Sequence, residues 1–157
     1  MHNSIRAIHI ITSLLLATMF VACDTANTAY HKYIGINTDG WQNKDTLTFK
    51  VDTLRRFGDY TSYLCLRIQP DFPYRFLTLE VEQSNMPKGK VQRRKVTIEV
   101  VNKEGERQGT GITYHTHEVP LFTSWMGPGD SVSFKVSHAM ARETMPSIMD
   151  VGIKLKR

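Results

Sequence analysis

The sequence predicts an all-β fold: an antiparallel β-sandwich of about seven to eight strands, jelly-roll or Ig-like, preceded by an export segment. Three observations carry this. Apolar and polar residues alternate with period two in six separate stretches between Leu47 and Leu155, the beat of strands with one dry and one wet face. Glycine, proline or asparagine separates those stretches wherever the backbone must reverse. No stretch sustains a helical period; "HAMARETM", residues 138–145, comes nearest but is short and uncapped. Strands with one apolar face each can bury it only by stacking two sheets.

The first element is the export segment, residues 1–22. "MHNSIRAIHII" carries one fixed side-chain charge, Arg6, and the apolar run from Ile8 to Ala22 follows. As a helix that run reaches roughly 22 Å, short of the about 30 Å hydrocarbon core of a bilayer, so it reads as a signal to be removed rather than a membrane span. It ends on Phe20, Val21, Ala22 and Cys23, which resembles the lipobox of bacterial lipoproteins, with Phe20 where leucine is commoner. A thiolate is the one good nucleophile nearby for a diacylglyceryl group, and the small Ala22 leaves room for a peptidase. Cys23 is therefore the expected lipidation site; an ordinary secretory signal with a chance cysteine and a buried hydrophobic helix are the alternatives.

Removal of residues 1–22 leaves about 135 residues, enough for one domain with its own core and too few for two. With Cys23 lipidated, only Cys65 remains, so no intramolecular disulfide is available. The formal charge of +5 falls by one when Arg6 leaves. An exported chain does not meet chromosomal DNA, so the basic balance points away from nucleic acid and towards solubility or anionic envelope groups.

Residues 23–40, "CDTANTAYHKYIGINTDG", are polar and poor in aliphatics, and read as a lipidated tether. The sandwich domain is expected over residues 41–157. Its six clear strands place Leu47, Phe49 and Val51; Leu64, Leu66 and Ile68; Leu77, Leu79 and Val81; Val96, Ile98 and Val100; Val132, Phe134 and Val136; and Val151, Ile153 and Leu155 on their apolar faces. A seventh is expected around residues 111–118.

Candidate chemistry is sparse. His115 and His117, two apart on a strand, leave the same face with Cβ atoms roughly 7 Å apart, close enough to share a metal, but no third ligand is fixed, and two uncoordinated histidines explain the pattern as well. "PKGKVQRRK" gathers Lys88, Lys90, Arg93, Arg94 and Lys95, read as a solvated hairpin loop that discourages edge pairing or as a contact for membrane phosphates. Phe72, Tyr74 and Phe76 alternate beside Arg75; such rings either pack a sandwich corner or offer a platform to a sugar. Trp41 and Trp125 are expected to be lids on the core. Hydrolase and phosphate-binding signatures are missing from the sequence, Cys65 sits in an apolar strand, and no cofactor or metal is called for.

The signal, "GWQNKDTLTFKVD", "LCLRIQPDFPYRFLTLEV" and the ending "HAMARETMPSIMDVGIKLKR" together resemble the gliding motility lipoprotein GldH family of the Bacteroidetes. The specific pieces are Arg67, Pro73, Tyr74 and Arg75, and then Met140, Arg142, Met145, Pro146, Ile148, Val151 and Gly152. Phe76 stands where the family tends to have Asn, and Ala141 is interposed before Arg142. The resemblance implies a non-enzymatic binding or assembly component of the gliding apparatus and its associated secretion machinery. Such a protein is anchored through lipid on Cys23, faces the periplasm and contacts other envelope proteins. It makes Arg67, Tyr74, Arg75 and Arg142 candidates for a contact surface. A glycan-binding envelope lipoprotein using Phe72, Tyr74, Trp41 or Trp125 is the alternative, and an envelope hydrolase, which would need a deep pocket, is the third reading.

Overall fold

The computed structural model describes residues 27–157; Cys23 and the rest of the export segment lie outside the described residues. Ten strands follow in order: β1 (Thr28–Gly35), β2 (Trp41–Gln42), β3 (Leu47–Val51), β4 (Gly58–Ile68), β5 (Phe76–Met86), β6 (Lys90–Glu99), β7 (His115–Met126), β8 (Ser131–His138), β9 (Thr144–Met145) and β10 (Ile148–Lys156).

The eight longer strands pair as one folded ribbon. β1 pairs with β10, β3 with β8, β4 with β7 and β5 with β6, all antiparallel, so the first strand partners the last and the nesting closes inward on the turn at residues 87–89. Alternate pairs go to alternate sheets, giving the orders β1-β10-β4-β7 and β3-β8-β5-β6, while β2 and β9 form a small bridge of their own. That nested order is the jelly roll, and it decides between the two sandwich architectures.

Period two decides what is inside. Leu64, Leu66 and Ile68 of β4, Leu77, Leu79 and Val81 of β5, Phe134 and Val136 of β8, and Val151, Ile153 and Leu155 of β10 are essentially inaccessible. They form one continuous core with Trp41, Phe49 and Phe72. Fully burying a side chain of this size stabilises by about 1.5–3 kcal/mol.

All six clear strands are present, and several finer expectations are corrected. Residues 28–35, read as tether, form the edge strand β1. Their inward Tyr30 and Ile34 pack on the core while their polar residues face water, which hid the strand. The seventh strand is β7, starting four residues later than expected and running to Met126; residues 111–114 precede it, with Ile112 95% exposed. Its buried positions shift from His117 and Leu121 to Ser124 and Met126. The shift falls where the β4 register slips between Thr61 and Tyr63, and a bulge of this kind breaks the alternation. "HAMARETM" contains β9 rather than a helix: Met145 lies opposite Trp41. The basic run is not a loop. Only residues 87–89 turn, and Arg93, Arg94 and Lys95 lie on β6.

Charge on that edge strand is used in two directions. On the outer face Arg93 and Lys95 pair with Glu82 and Glu80 of β5 at 2.7 and 3.6 Å. Arg94 instead reaches across to the other sheet and donates to the carbonyls of Pro120 and Leu121 at 3.0 and 2.9 Å. It thereby closes the open side between β6 and β7, next to a buried polar set in which Ser62 Oγ lies 2.8 Å from Gln83 Oε1 and Gln83 donates to Asn85 at 3.0 Å.

Candidate functional site

Antiparallel succession puts the connections at alternate ends of the sandwich. Residues 36–46, 69–75, 100–114 and 139–147 lie at one end; residues 52–57, 87–89 and 127–130 lie at the other. Asn27 and Arg157 also belong to the second end, where the Arg157 amide donates to the Asn27 carbonyl at 2.8 Å. This is the end from which the chain leads back to Cys23, and it is called proximal below. β4 has 11 residues, so about 36 Å separates the two ends.

Tyr74, Arg75 and Arg142 all sit in distal connections, and Arg67 lies one residue before the distal end of β4. Arg67 projects from the outer face of its sheet. Its guanidinium lies 4.2 Å from the Tyr33 ring centroid and 5.3 Å from that of Tyr114, and Nη1 donates to Asp150 Oδ2 at 3.4 Å. One cation thus fastens β1, β4, β10 and the 100–114 connection. Neither tyrosine was named from sequence, because both fall in segments whose alternation is weak.

The same face explains Cys65. In register across the sheet stand Tyr33, Gly152, Cys65 and Glu118. A Cβ on Gly152 would lie 2.7 Å from the Tyr33 ring, so the absent side chain lets that ring lie across β10 towards the thiol. Cys65 is 1% exposed, and burial, reinforced by the Glu118 carboxylate, pushes its thiol up to about 11. Lys154 in turn holds Glu118 at 2.8 Å. A thiol in this setting is inert filling.

At the distal end proper, Phe72 is buried with its ring edge-on to Tyr74, centroids 5.6 Å apart. Arg75 lies over the Phe76 ring at 4.8 Å and pairs with Glu99 at 2.6 Å. Arg142 is exposed and takes part in no ion pair recorded among the described residues. The structure brings the four named residues to one end but shows no direct contact among them.

Other candidates resolve differently. His117 is buried beside Gly109, and burial, with the neighbouring His115, lowers its pKa. Among the described residues no group of three or more His, Cys, Asp or Glu could hold a metal. Trp41 is indeed core, its indole donating to the Asp45 carbonyl at 2.9 Å. Trp125 is corrected: it is 59% exposed and no lid. Trp41 and Phe72, both 1% exposed, are unavailable to a sugar. A cleft of about 430 Å³ on the outer face of the second sheet is lined by Glu80, Glu82, Arg93, Lys95 and Lys135, which pair with one another.

Among solved structures, the chain is similar to an Eiger TNF from S. frugiperda at 9% identity and a TM-score of 0.33, over 83% of this chain and 93% of that one. It is also similar to the dimeric latent PorU of Porphyromonas gingivalis at 9% and 0.35, over 83% of this chain and 13% of that one. A CocE/NonD family hydrolase from Staphylococcus aureus gives 9% and 0.34, over 83% and 31%. At these values the likeness says nothing about function. No curated protein matches the chain. The profile of the GldH lipoprotein, in contrast, matches residues 28–155. Proteins of that family are gliding-motility-associated lipoproteins with no known enzymatic activity, held to the cell envelope by lipid. The match starts at the first residue of β1 and ends one residue short of the end of β10; the chain belongs to the GldH lipoprotein family.

Proposed function

We propose that the protein is a non-enzymatic binding and assembly component of the gliding motility apparatus and its associated secretion machinery, tethered by lipid on Cys23 and facing the periplasm. The observation that carries this reading is the polarity of the domain. The segment leading to Cys23 leaves from one end, and Tyr74, Arg75 and Arg142, with Arg67 just behind them, stand at the other. Tethering raises the local concentration of such a surface near its partners. Partners are other envelope proteins, with no nucleic acid among them.

The test is a crosslinking pull-down of the lipidated protein from its own envelope, beside a Cys23→Ala form and an Arg75→Glu/Arg142→Glu form. Recovery of gliding or secretion components by the anchored parent alone supports the reading. Equal recovery by all three forms, or recovery of glycan without protein, overturns it.

A further inference from the structure

The proximal end carries an apolar patch that the core does not need. Phe57 is 67% exposed, Trp125 59%, Met86 55% and Val91 49%. Phe57 comes from the connection before β4, Trp125 from the end of β7, and Met86 and Val91 from the β5–β6 hairpin. The patch is built rather than loose. The Phe57 and Trp125 rings stack at 6.4 Å with 18° between their planes. A Cβ on Gly127 would lie 2.3 Å from the Phe57 ring, so the bare glycine seats it. Lys88 at the hairpin tip donates to the Trp125 carbonyl at 3.1 Å and pairs with Asp130 at 3.5 Å, tying two connections together.

Cations share this end of the sandwich. Arg55, Arg56, Lys88, Lys90 and Arg157 belong to this end, against the carboxylates of Asp52, Asp59 and Asp130. None of the ion pairs recorded among the described residues uses Arg55, Arg56, Lys90 or Arg157. Arg55, Arg56 and Arg157 line a cleft of about 400 Å³ that opens beside Asn27. Exposed aromatics on the same end as arginine and lysine match the boundary between headgroups and acyl chains, where rings enter the apolar margin and cations meet phosphates.

Chain length identifies the occupant. Four residue steps separate Cys23 from Asn27, and fully extended they span at most about 14 Å. With the lipid in a bilayer, the proximal end is kept within contact of that bilayer's surface. We propose that this end is a second membrane contact, with Phe57, Trp125 and Met86 entering the interface of an anionic phospholipid membrane and Arg55, Arg56, Lys90 and Arg157 binding its phosphates. The inference rests on lipidation of Cys23 as read above. Two contacts hold the sandwich upright, so its distal end points away from the membrane.

The experiment uses the full lipidated protein reconstituted in phosphatidylcholine vesicles with and without phosphatidylglycerol. Trp41 is sealed in the core, so fluorescence quenching by lipids brominated in their acyl chains reports Trp125. Quenching in the anionic vesicles, lost in Trp125→Phe and reduced several-fold in Arg55→Glu/Arg56→Glu, is expected. A chain whose mass carries the lipid yet whose Trp125 is unquenched overturns this proposal alone. A chain whose mass lacks the lipid overturns the anchor, and the proposal with it. A photocrosslinker at position 125 that labels protein instead of lipid in the native envelope also overturns it, by showing a protein partner on the patch.

Discussion

Replacing Tyr33 by alanine tests whether β1 belongs to the domain and what its ring does there. The ring lies over Gly152 with Cys65 next in register and 1% exposed. An ordinary thiol is about 10% ionised at pH 8, and one held at about 11 is about 0.1% ionised. Burial is the first cause of that shift and the Glu118 carboxylate adds to it, so uncovering the sulfur raises the reactive thiolate by up to about 100-fold, and the gain in access adds to that. The assay is labelling by an aromatic disulfide at pH 8 in a chain carrying Cys23→Ser, where Cys65 is the one thiol left. Tyr33→Ala should react at least about 10-fold faster than the parent, while Tyr33→Phe, which keeps the ring, stays slow. Circular dichroism confirms that each variant is folded at the assay temperature. Equal rates for Tyr33→Ala and its parent would refute the shielding, and with it the placement of β1 on β10.

Other expectations follow from the same contacts. Phe72→Ala removes a fully buried ring at the distal corner and should destabilise by about 3–5 kcal/mol, read from the denaturant midpoint. Ser62→Ala leaves buried Gln83 short of a partner, at a cost of about 1–3 kcal/mol by the same measurement, whereas Thr48→Ala on the exposed face of β3 should cost less than about 0.5. His117 has a depressed pKa, so its contribution to stability is present above the ordinary imidazole value of about 6.5 and is lost as pH falls from there through the folded-state value. His117→Gln should flatten that part of an acid titration. Cys65 works in the opposite sense: its raised pKa gives stability that is present below about 9 and lost as pH rises towards about 11, amounting to roughly 2–3 kcal/mol and absent in Cys65→Ala.

The sequence was legible where side chains keep strict period two and illegible where the fold interrupts it. β3, β4, β5, β6, β8 and β10 each carry two or three apolar residues at successive alternate positions and were readable to within a few residues, even where buried Ser62, Gln83, Asn85 and His138 continue the same faces. β1 was hidden because it is polar and poor in aliphatics; its core anchors are Tyr30 and Ile34 alone, while Tyr33 lies on the outer face under Arg67. β7 was hidden by its bulge, which flips the buried set halfway along, and by Pro120, tolerated because β7 is itself an edge. The candidate site divides in the same way. Arg67, Tyr74, Arg75 and Arg142 could be named through the family resemblance, but their common end could not, since it depends on strand parity. The partners of Arg67 come from β1, β10 and the 100–114 connection, distant in sequence and joined only by sheet register. Trp125 was misplaced because a tryptophan beside a turn reads alike whether it faces inward or outward.

Parity also accounts for the division of labour between the two ends. In a ribbon of eight nested strands the first and last strands pair, so both chain ends emerge together, and four of the seven connections between long strands must lie at the opposite end. Here those four are the longer ones, residues 36–46, 69–75, 100–114 and 139–147, while the proximal three are residues 52–57, 87–89 and 127–130. Long connections on a rigid scaffold are where recognition surfaces are built. Short ones hold the strand ends close together and expose the few side chains they carry. The short set here carries Phe57, Lys88 and the glycine that seats the aromatic stack, and the long set carries Tyr74, Arg75 and Arg142. Strand parity therefore puts the beginning of β1 and the exposed Phe57–Trp125 stack at one end, with the candidate contact residues about 36 Å away at the other.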